Sequence, residues 1–206
     1  MASKVIVHSV PRSGSMLIHD LYTMNGYTPY YQDNVDLDCN RYSVHTHLSR
    51  PWLTSKYINE FTILVIDRHN LVDQVCSYIM SSSLNEWHIF PELKSDIPDL
   101  KDIKSFNYSD QTKRGALVKE QAVFATERMI TMKRNQKILM SKLSNYKRMM
   151  FEDFIEDGLE VTCSKLGLDP TNCRWNEHRN PRKFEDVFIN QEQIKEWITE
   201  TVINYV

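Results

Sequence analysis

Pro11-Arg12-Ser13-Gly14-Ser15 sets a guanidinium, two hydroxyls and a glycine between an apolar run and a helical pattern. A tight loop of small residues feeding a helix N-terminus points several backbone N–H groups at one spot, and such a spot attracts phosphate or sulfate. No Gly-Lys-Ser/Thr closes the loop, so it lacks the Walker pattern. Taken alone, a plain strand–turn–helix connection is the competing reading. A second group is Asp67-Arg68-His69 with Ser77 beyond it. A basic residue at a strand end can bind an anion. Asp67 could orient a site group, although a strand-end aspartate more commonly caps the next helix. A third group is His45 and His47. A neutral imidazole can take a hydroxyl proton, whereas a histidine at a strand end is more commonly structural. Arg174, Arg179, Arg182 and Lys183 stand against Glu177 in one stretch, which suits an anionic ligand or a solvated loop.

These residues need elements to hold them. Val5-Ile6-Val7 and Val10 read as a buried strand. Met16-Leu17-Ile18, Leu21, Tyr22 and Met24 have helical spacing, and Asn25-Gly26 supplies the stop. Short strands follow near 27–31 and from Tyr42 to the histidines, then a helix-like stretch from Pro51 through Ile58. Phe61–Ile66 is the strongest strand, and its unbroken apolar run implies burial on both faces, as in a parallel sheet. Leu71, Val72, Val75, Ile79 and Met80 continue with helical period. A stretch of about 85–112 reads as an irregular, substrate-facing insertion. Lys113–Leu143 is a long helical pattern whose Lys133–Lys147 charges read as an exposed face. Tyr146–Phe151 reads as the last strand, Gly158–Leu166 as a helix closed by Gly167, and Gln191–Tyr205 as a terminal amphipathic helix. Strands alternating with helices predict one α/β domain over residues 1–206, a three-layer fold with a central, mostly parallel sheet flanked by helices.

Composition narrows the partners. A net charge of −2 gives no reason to expect nucleic-acid binding. No apolar run approaches the ~18 residues of a membrane helix. The four cysteines form no C-x-x-C pair, Cys163, Cys173 and His178 fit no usual zinc spacing, and no metal is expected. Reduced thiols and an N-terminus that runs straight into the first strand give the expectation of a cytoplasmic protein.

Four stretches, in order, resemble the PAPS-dependent sulfotransferases. VPRSGSMLI is similar to the family's 5′-phosphosulfate loop, P-K/R-S-G-S/T-T. HTHL at His45–Leu48 is similar to the K-T-H-L segment of the cytosolic sulfotransferases, whose histidine is the base. ILVIDRHNLVDQVCSY resembles the 3′-phosphate element, R-N/D-x-x-x-x-x-x-S-Y. MMFEDFIEDGLEVTCSKLGLD resembles the Y-E-D segment with its helix, and RNPRKFEDVF weakly resembles the C-terminal basic loop. The resemblance implies a P-loop-like fold and direct in-line sulfuryl transfer from PAPS, with PAP as product and no metal. It implies His47 as base and Arg12 on the bridging oxygen. Ser13, Gly14, Ser15 and Met16 would lie along the 5′-phosphate. Arg68 or His69, with Ser77, would hold the 3′-phosphate, Phe151 would stack on the base, and Arg182 and Lys183 would reach the nucleotide. The acceptor would be a hydroxylated small molecule or carbohydrate.

The departures bear on single residues. Met16 stands where the family has a threonine, and Leu17 where an aromatic often follows. Alignment on Ser77-Tyr78 puts His69 at the usual arginine position. Arg68 is the preferred phosphate ligand because its charge does not depend on pH. Phe151 replaces the tyrosine of Y-E-D. A P-loop small-molecule kinase and a non-catalytic nucleotide-binding protein with the same fold are the rival readings; the absent Gly-Lys-Ser/Thr counts against the first.

Overall fold

The computed structural model describes residues 4–31, 42–46, 61–84, 115–175 and 183–205. In chain order the elements are β1 (Lys4–Ser9), α1 (Ser15–Met24), β2 (Thr28–Tyr31), β3 (Tyr42–Thr46), β4 (Thr62–Asp67), α2 (Leu71–Leu84), α3 (Lys119–Lys142), β5 (Lys147–Met150), α4 (Phe151–Leu166), a 3-10 turn (Pro170–Asn172), α5 (Phe184–Val187) and α6 (Gln191–Tyr205). They fall into two compact units, Met1–His69 with Met132–Glu177 and Asn70–Thr131 with His178–Val206.

The first unit is built on a five-stranded sheet of order β2-β3-β1-β4-β5, every pair parallel. The expected α/β class with a parallel central sheet is therefore observed. β1 sits at the centre because Val5, Val7 and Ile6 give it an apolar side chain toward each face. Val5 and Val7 join Leu64 and Ile66 of β4 on one face, where Ile18, Leu21 and Tyr22 of α1 and Phe154 and Cys163 of α4 cover them. Ile6 joins Val44, Ile63 and Val65 on the other, under Leu139 and Leu143 from the C-terminal end of α3 and the following turn. Two covered faces explain why β1 and β4 read as continuous apolar runs rather than alternating ones. Pro29, which lacks an N–H to give to a ladder, lies in the edge strand β2.

Two boundaries differ from the sequence reading. Helix α4 begins at Phe151, not Gly158, and Phe151 opens the helix instead of ending the strand. Its first turn carries Glu152 and Asp153, the charges a helix N-terminus favours. Gly158, at φ 74° and ψ 178°, is a kink inside the helix, and the glycine signal was mistaken for a start. Helix α3 begins at Lys119 rather than Lys113. Residues just before it are extended: Gly115 bridges in parallel to Phe188, and Leu117 exchanges hydrogen bonds with the Asn190 side chain at 3.1 and 2.8 Å. Long-range partners outside the reach of a periodicity argument hold this segment out of the helix.

In the second unit α2 packs against α5 and α6. Ile194 and Ile198 of α6 and Val75 and Ile79 of α2 are buried. Phe188, also buried, meets Phe184 with ring centroids 4.9 Å apart. Among the described residues no helix is long and apolar enough to cross a membrane. The stretches 51–58 and 85–112 lie outside the described residues.

Candidate functional site

The strand order fixes where a ligand site can form. β1 and β4 are parallel neighbours with Ser9 opposite Ile66, so their carboxyl ends emerge side by side. The chain leaving β1 goes to β2 on one side, and the chain leaving β4 leads to β5 on the other. Diverging connections open a crevice at the carboxyl ends of two adjacent strands, where ligands of open α/β sheets bind. The loop 10–14 and the turn Arg68-His69 both arise there.

The loop is strained in a specific way. Arg12 has φ 64°, and no other non-glycine among the described residues has a positive φ. Such a conformation costs about 1–2 kcal/mol for a residue with a Cβ. Gly14, the N-cap of α1, is also left-handed, at φ 74° and ψ 10°. Here glycine is required twice, by the backbone and by space: a Cβ at position 14 would stand 2.0 Å from Cδ2 of Phe151 and 2.3 Å from its Cε2. The serines tie the loop to the sheet. Ser13 Oγ donates to the Val10 carbonyl at 2.7 Å, and Ser9 Oγ donates to Ser15 Oγ at 2.7 Å. No side chain caps the N-terminus of α1, and its first turn holds no acidic residue. The positive end of its dipole is therefore not offset within the helix itself.

Arg68 is organised by the same loop. Its Nη1 lies 3.4 Å from the Arg12 carbonyl oxygen and its Nε 3.4 Å from Oε1 of Glu152. Its guanidinium carbon stands 4.8 Å from the centre of the Phe151 ring, a cation–π distance. Glu152 Oε2 accepts from the His69 backbone N–H at 3.0 Å. Burial would raise the Glu152 pKa, but these donors and the Arg68 charge hold it below its ordinary value. Arg12 is itself largely enclosed. Burial, and then the neighbouring Arg68 charge, lower its pKa below the ordinary guanidinium value. The Arg68 charge disfavours that of Arg12, and an anion beside Arg12 would offset that effect.

Beneath Arg68, Asp67 is a buried carboxylate clamped by Lys133 Nζ at 2.7 Å and Arg148 Nη2 at 2.6 Å, with the Arg68 N–H at 2.8 Å. Lys133 also donates to the Arg68 carbonyl at 3.1 Å. Burial alone would raise the Asp67 pKa; the bonds from Lys133 and Arg148 outweigh it and hold it low. Asp67 thus braces the end of β4. The capping role belongs to Asn70, whose Oδ1 accepts from the Asp73 N–H at 3.1 Å. Lys133 is not on the solvated face the sequence reading assigned to it: its side chain reaches the carboxyl end of β4 and is 21% exposed.

The sequence candidates divide accordingly. Arg12, Ser13, Gly14, Ser15, Met16, Arg68, His69 and Phe151 all belong to the first unit. There Arg12, Gly14, Arg68 and Phe151 form one connected group, while Met16 is half-buried in the first turn of α1. Phe151 lies against Gly14 and under Arg68. The His69 side chain is exposed, with Nε2 3.6 Å from Oδ1 of Asp153. Ser77 is half-buried on α2 in the second unit, and Lys183 is the exposed N-cap of α5, its N–H donating to Asp186 at 3.0 Å. His47 and Arg182 lie outside the described residues. Sequence reasoning missed Glu152, Lys133 and Arg148 as parts of this assembly. Only Glu152 left a signal, as an acid following a strand end. Among the described residues no three His, Cys, Asp or Glu side chains are grouped to hold a metal ion. Models of protein families, curated proteins and solved structures give no match to this chain.

Proposed function

We propose that this chain is a PAPS-dependent sulfotransferase of P-loop-like fold that moves a sulfuryl group to a hydroxyl on a small molecule or carbohydrate. The observation that carries the reading is the pairing of Arg12 and Arg68 at the carboxyl ends of β1 and β4, beside a helix N-terminus that has no acid of its own. A phosphosulfate would relieve both the mutual repulsion and the dipole. Arg12 meets the bridging oxygen, where charge grows as the bond from sulfur to the 5′-phosphate oxygen breaks. That oxygen keeps the electron pair. The acceptor oxygen bonds to sulfur and its proton passes to His47. Arg68 or His69 holds the 3′-phosphate. A cytoplasmic site of action goes with this reading.

A nucleotide-binding protein without transfer activity is the second reading. Arg68 favours it, because Glu152 and the Arg12 carbonyl already engage its guanidinium. The deciding experiment offers labelled PAPS with a panel of hydroxylated acceptors. Transfer is expected. His47→Ala should lower turnover by roughly 10²–10⁴ with PAP affinity kept, and Arg12→Ala should weaken both. PAP binding with no transfer to any acceptor supports the second reading, and magnesium-dependent ATP turnover supports a kinase.

A further inference from the structure

Where Arg12 and Arg68 meet, a carboxylate works against an anionic ligand through its charge, yet Glu152 stands there. Its two oxygens are divided between consecutive residues at the end of β4. Oε1 accepts from Arg68 Nε at 3.4 Å, and Oε2 accepts from the His69 N–H at 3.0 Å. The backbone bond fixes the carboxylate to the strand end whose side chain it touches. At 3.4 Å the ion pair is longer than the ~2.7–2.9 Å of a close charge-assisted bond, so Glu152 steers the guanidinium more than it neutralises it. The rest of that group is held as well. Nη1 lies 3.4 Å from the Arg12 carbonyl oxygen, and the guanidinium carbon stands 4.8 Å from the centre of the Phe151 ring. Phe151 and Glu152 are consecutive at the start of α4, and Phe151 lies against Gly14. The first turn of α4 therefore sets Arg68 from its face and from one edge, in register with the loop that carries Arg12. Among the described residues nothing engages Nη2.

We propose that Glu152 is the positioning residue of this site: it holds the Arg68 guanidinium by Nε and leaves Nη2 for a phosphate oxygen. The role rests on the crevice being the nucleotide's phosphate site, as proposed above, and adds to it a residue that does not touch the ligand. A guanidinium held in place beforehand loses less rotamer freedom when an anion arrives. Two effects of Glu152 therefore oppose one another. Its charge repels an anion, and its hold on Arg68 favours one. That charge is already shared between the Arg68 and His69 donors, which leaves little of it to repel a ligand, so the hold prevails. Substitution separates the two effects by sign. Glutamine has the same size but one acceptor oxygen and an amide that donates. It can serve Arg68 Nε or the His69 N–H, not both. Charge alone predicts tighter anion binding in Glu152→Gln, and positioning predicts weaker binding. Aspartate keeps the charge and shortens the reach, so positioning predicts weaker binding there too, whereas charge alone predicts no change.

The test is calorimetric titration of the full-length chain with PAP, on the wild type, Glu152→Gln, Glu152→Asp, Arg68→Ala and Arg68→Ala/Glu152→Gln. Each Glu152 single variant should weaken PAP by roughly twofold to tenfold, the scale of ordering one long side chain on binding. In the Arg68→Ala background Glu152→Gln should weaken PAP no further, because no guanidinium is left to hold. A carboxylate that serves only the start of α4 would instead weaken PAP equally in both backgrounds. That result, or PAP affinity unchanged or raised in Glu152→Gln, overturns the positioning role while wild-type PAP binding, and with it the proposed function, stands. Absence of PAP binding in the wild type overturns both. Turnover is not read, so a chain that binds PAP without transferring a sulfuryl group gives the same answer on Glu152.

Discussion

At position 12 one residue carries both a backbone penalty and a charge, and the two separate by substitution. Glycine at 12 keeps the left-handed backbone without a Cβ, whereas alanine keeps the strain. Arg12→Gly should be more stable to denaturant than Arg12→Ala by about 1 kcal/mol. Equal unfolding free energies would mean the loop relaxes and stores no strain. Gly14→Ala should destabilise by about 2 kcal/mol or more, since it adds a left-handed Cβ at a point where the Phe151 ring already stands. Trimming that ring in Gly14→Ala/Phe151→Ala should recover the part due to the clash and leave the backbone part, so a double mutant no better than the sum of the singles would contradict the contact. Asp67→Asn should destabilise by about 3 kcal/mol, the scale for breaking a buried ion pair while its partners stay. A change below about 0.5 kcal/mol in urea unfolding would remove the bracing role.

Elements are also held by single titratable groups. His19 of α1 is buried against β3, its Nε2 donating to the Ser43 carbonyl at 3.1 Å. Burial, partly offset by that bond, lowers its pKa from 6.5 to about 4. The unfolded chain therefore binds a proton that the folded chain does not between those two values. Stability from this group is full above pH 6.5, falls as the pH drops toward 4 and changes no further below it, a loss of about 3 kcal/mol in all. Asp67, also held low, loses its contribution in a lower window, as the pH falls from 3.8 through its folded value. Urea unfolding from pH 7 to 4 should show the His19 slope in the wild type and lose it in His19→Gln; identical slopes would contradict the assignment. Elements of this kind were legible where burial makes a repetitive pattern: β1, α1, β4 and α6 follow from apolar period and from Asn25-Gly26. What the sequence hid depends on distant partners. Leu117 stays out of α3 because of Asn190, and Lys133 leaves the solvated face because of Asp67. The loop was visible as Arg12–Ser15, but not the inward use of Ser13 and Ser15 hydroxyls, which depends on Val10 and Ser9 in three dimensions.

For the molecule as a whole, strand order is what converts scattered residues into a site: parallel pairing of β1 with β4 delivers Arg12 and Arg68 to one crevice although fifty-odd positions separate them. Fold alone does not specify chemistry, so the proposal rests on the two guanidinium-bearing residues that meet at that crevice. Calorimetric titration with PAP and with AMP, on the wild type, Arg12→Ala and Arg68→Ala, tests it most directly. PAP should bind the wild type far more tightly than AMP. Arg12→Ala should weaken both nucleotides, and Arg68→Ala should weaken PAP selectively, each by on the order of tenfold or more, the scale of a charged hydrogen bond. Equal affinity for PAP and AMP, or PAP affinity unchanged in both variants, would contradict the account.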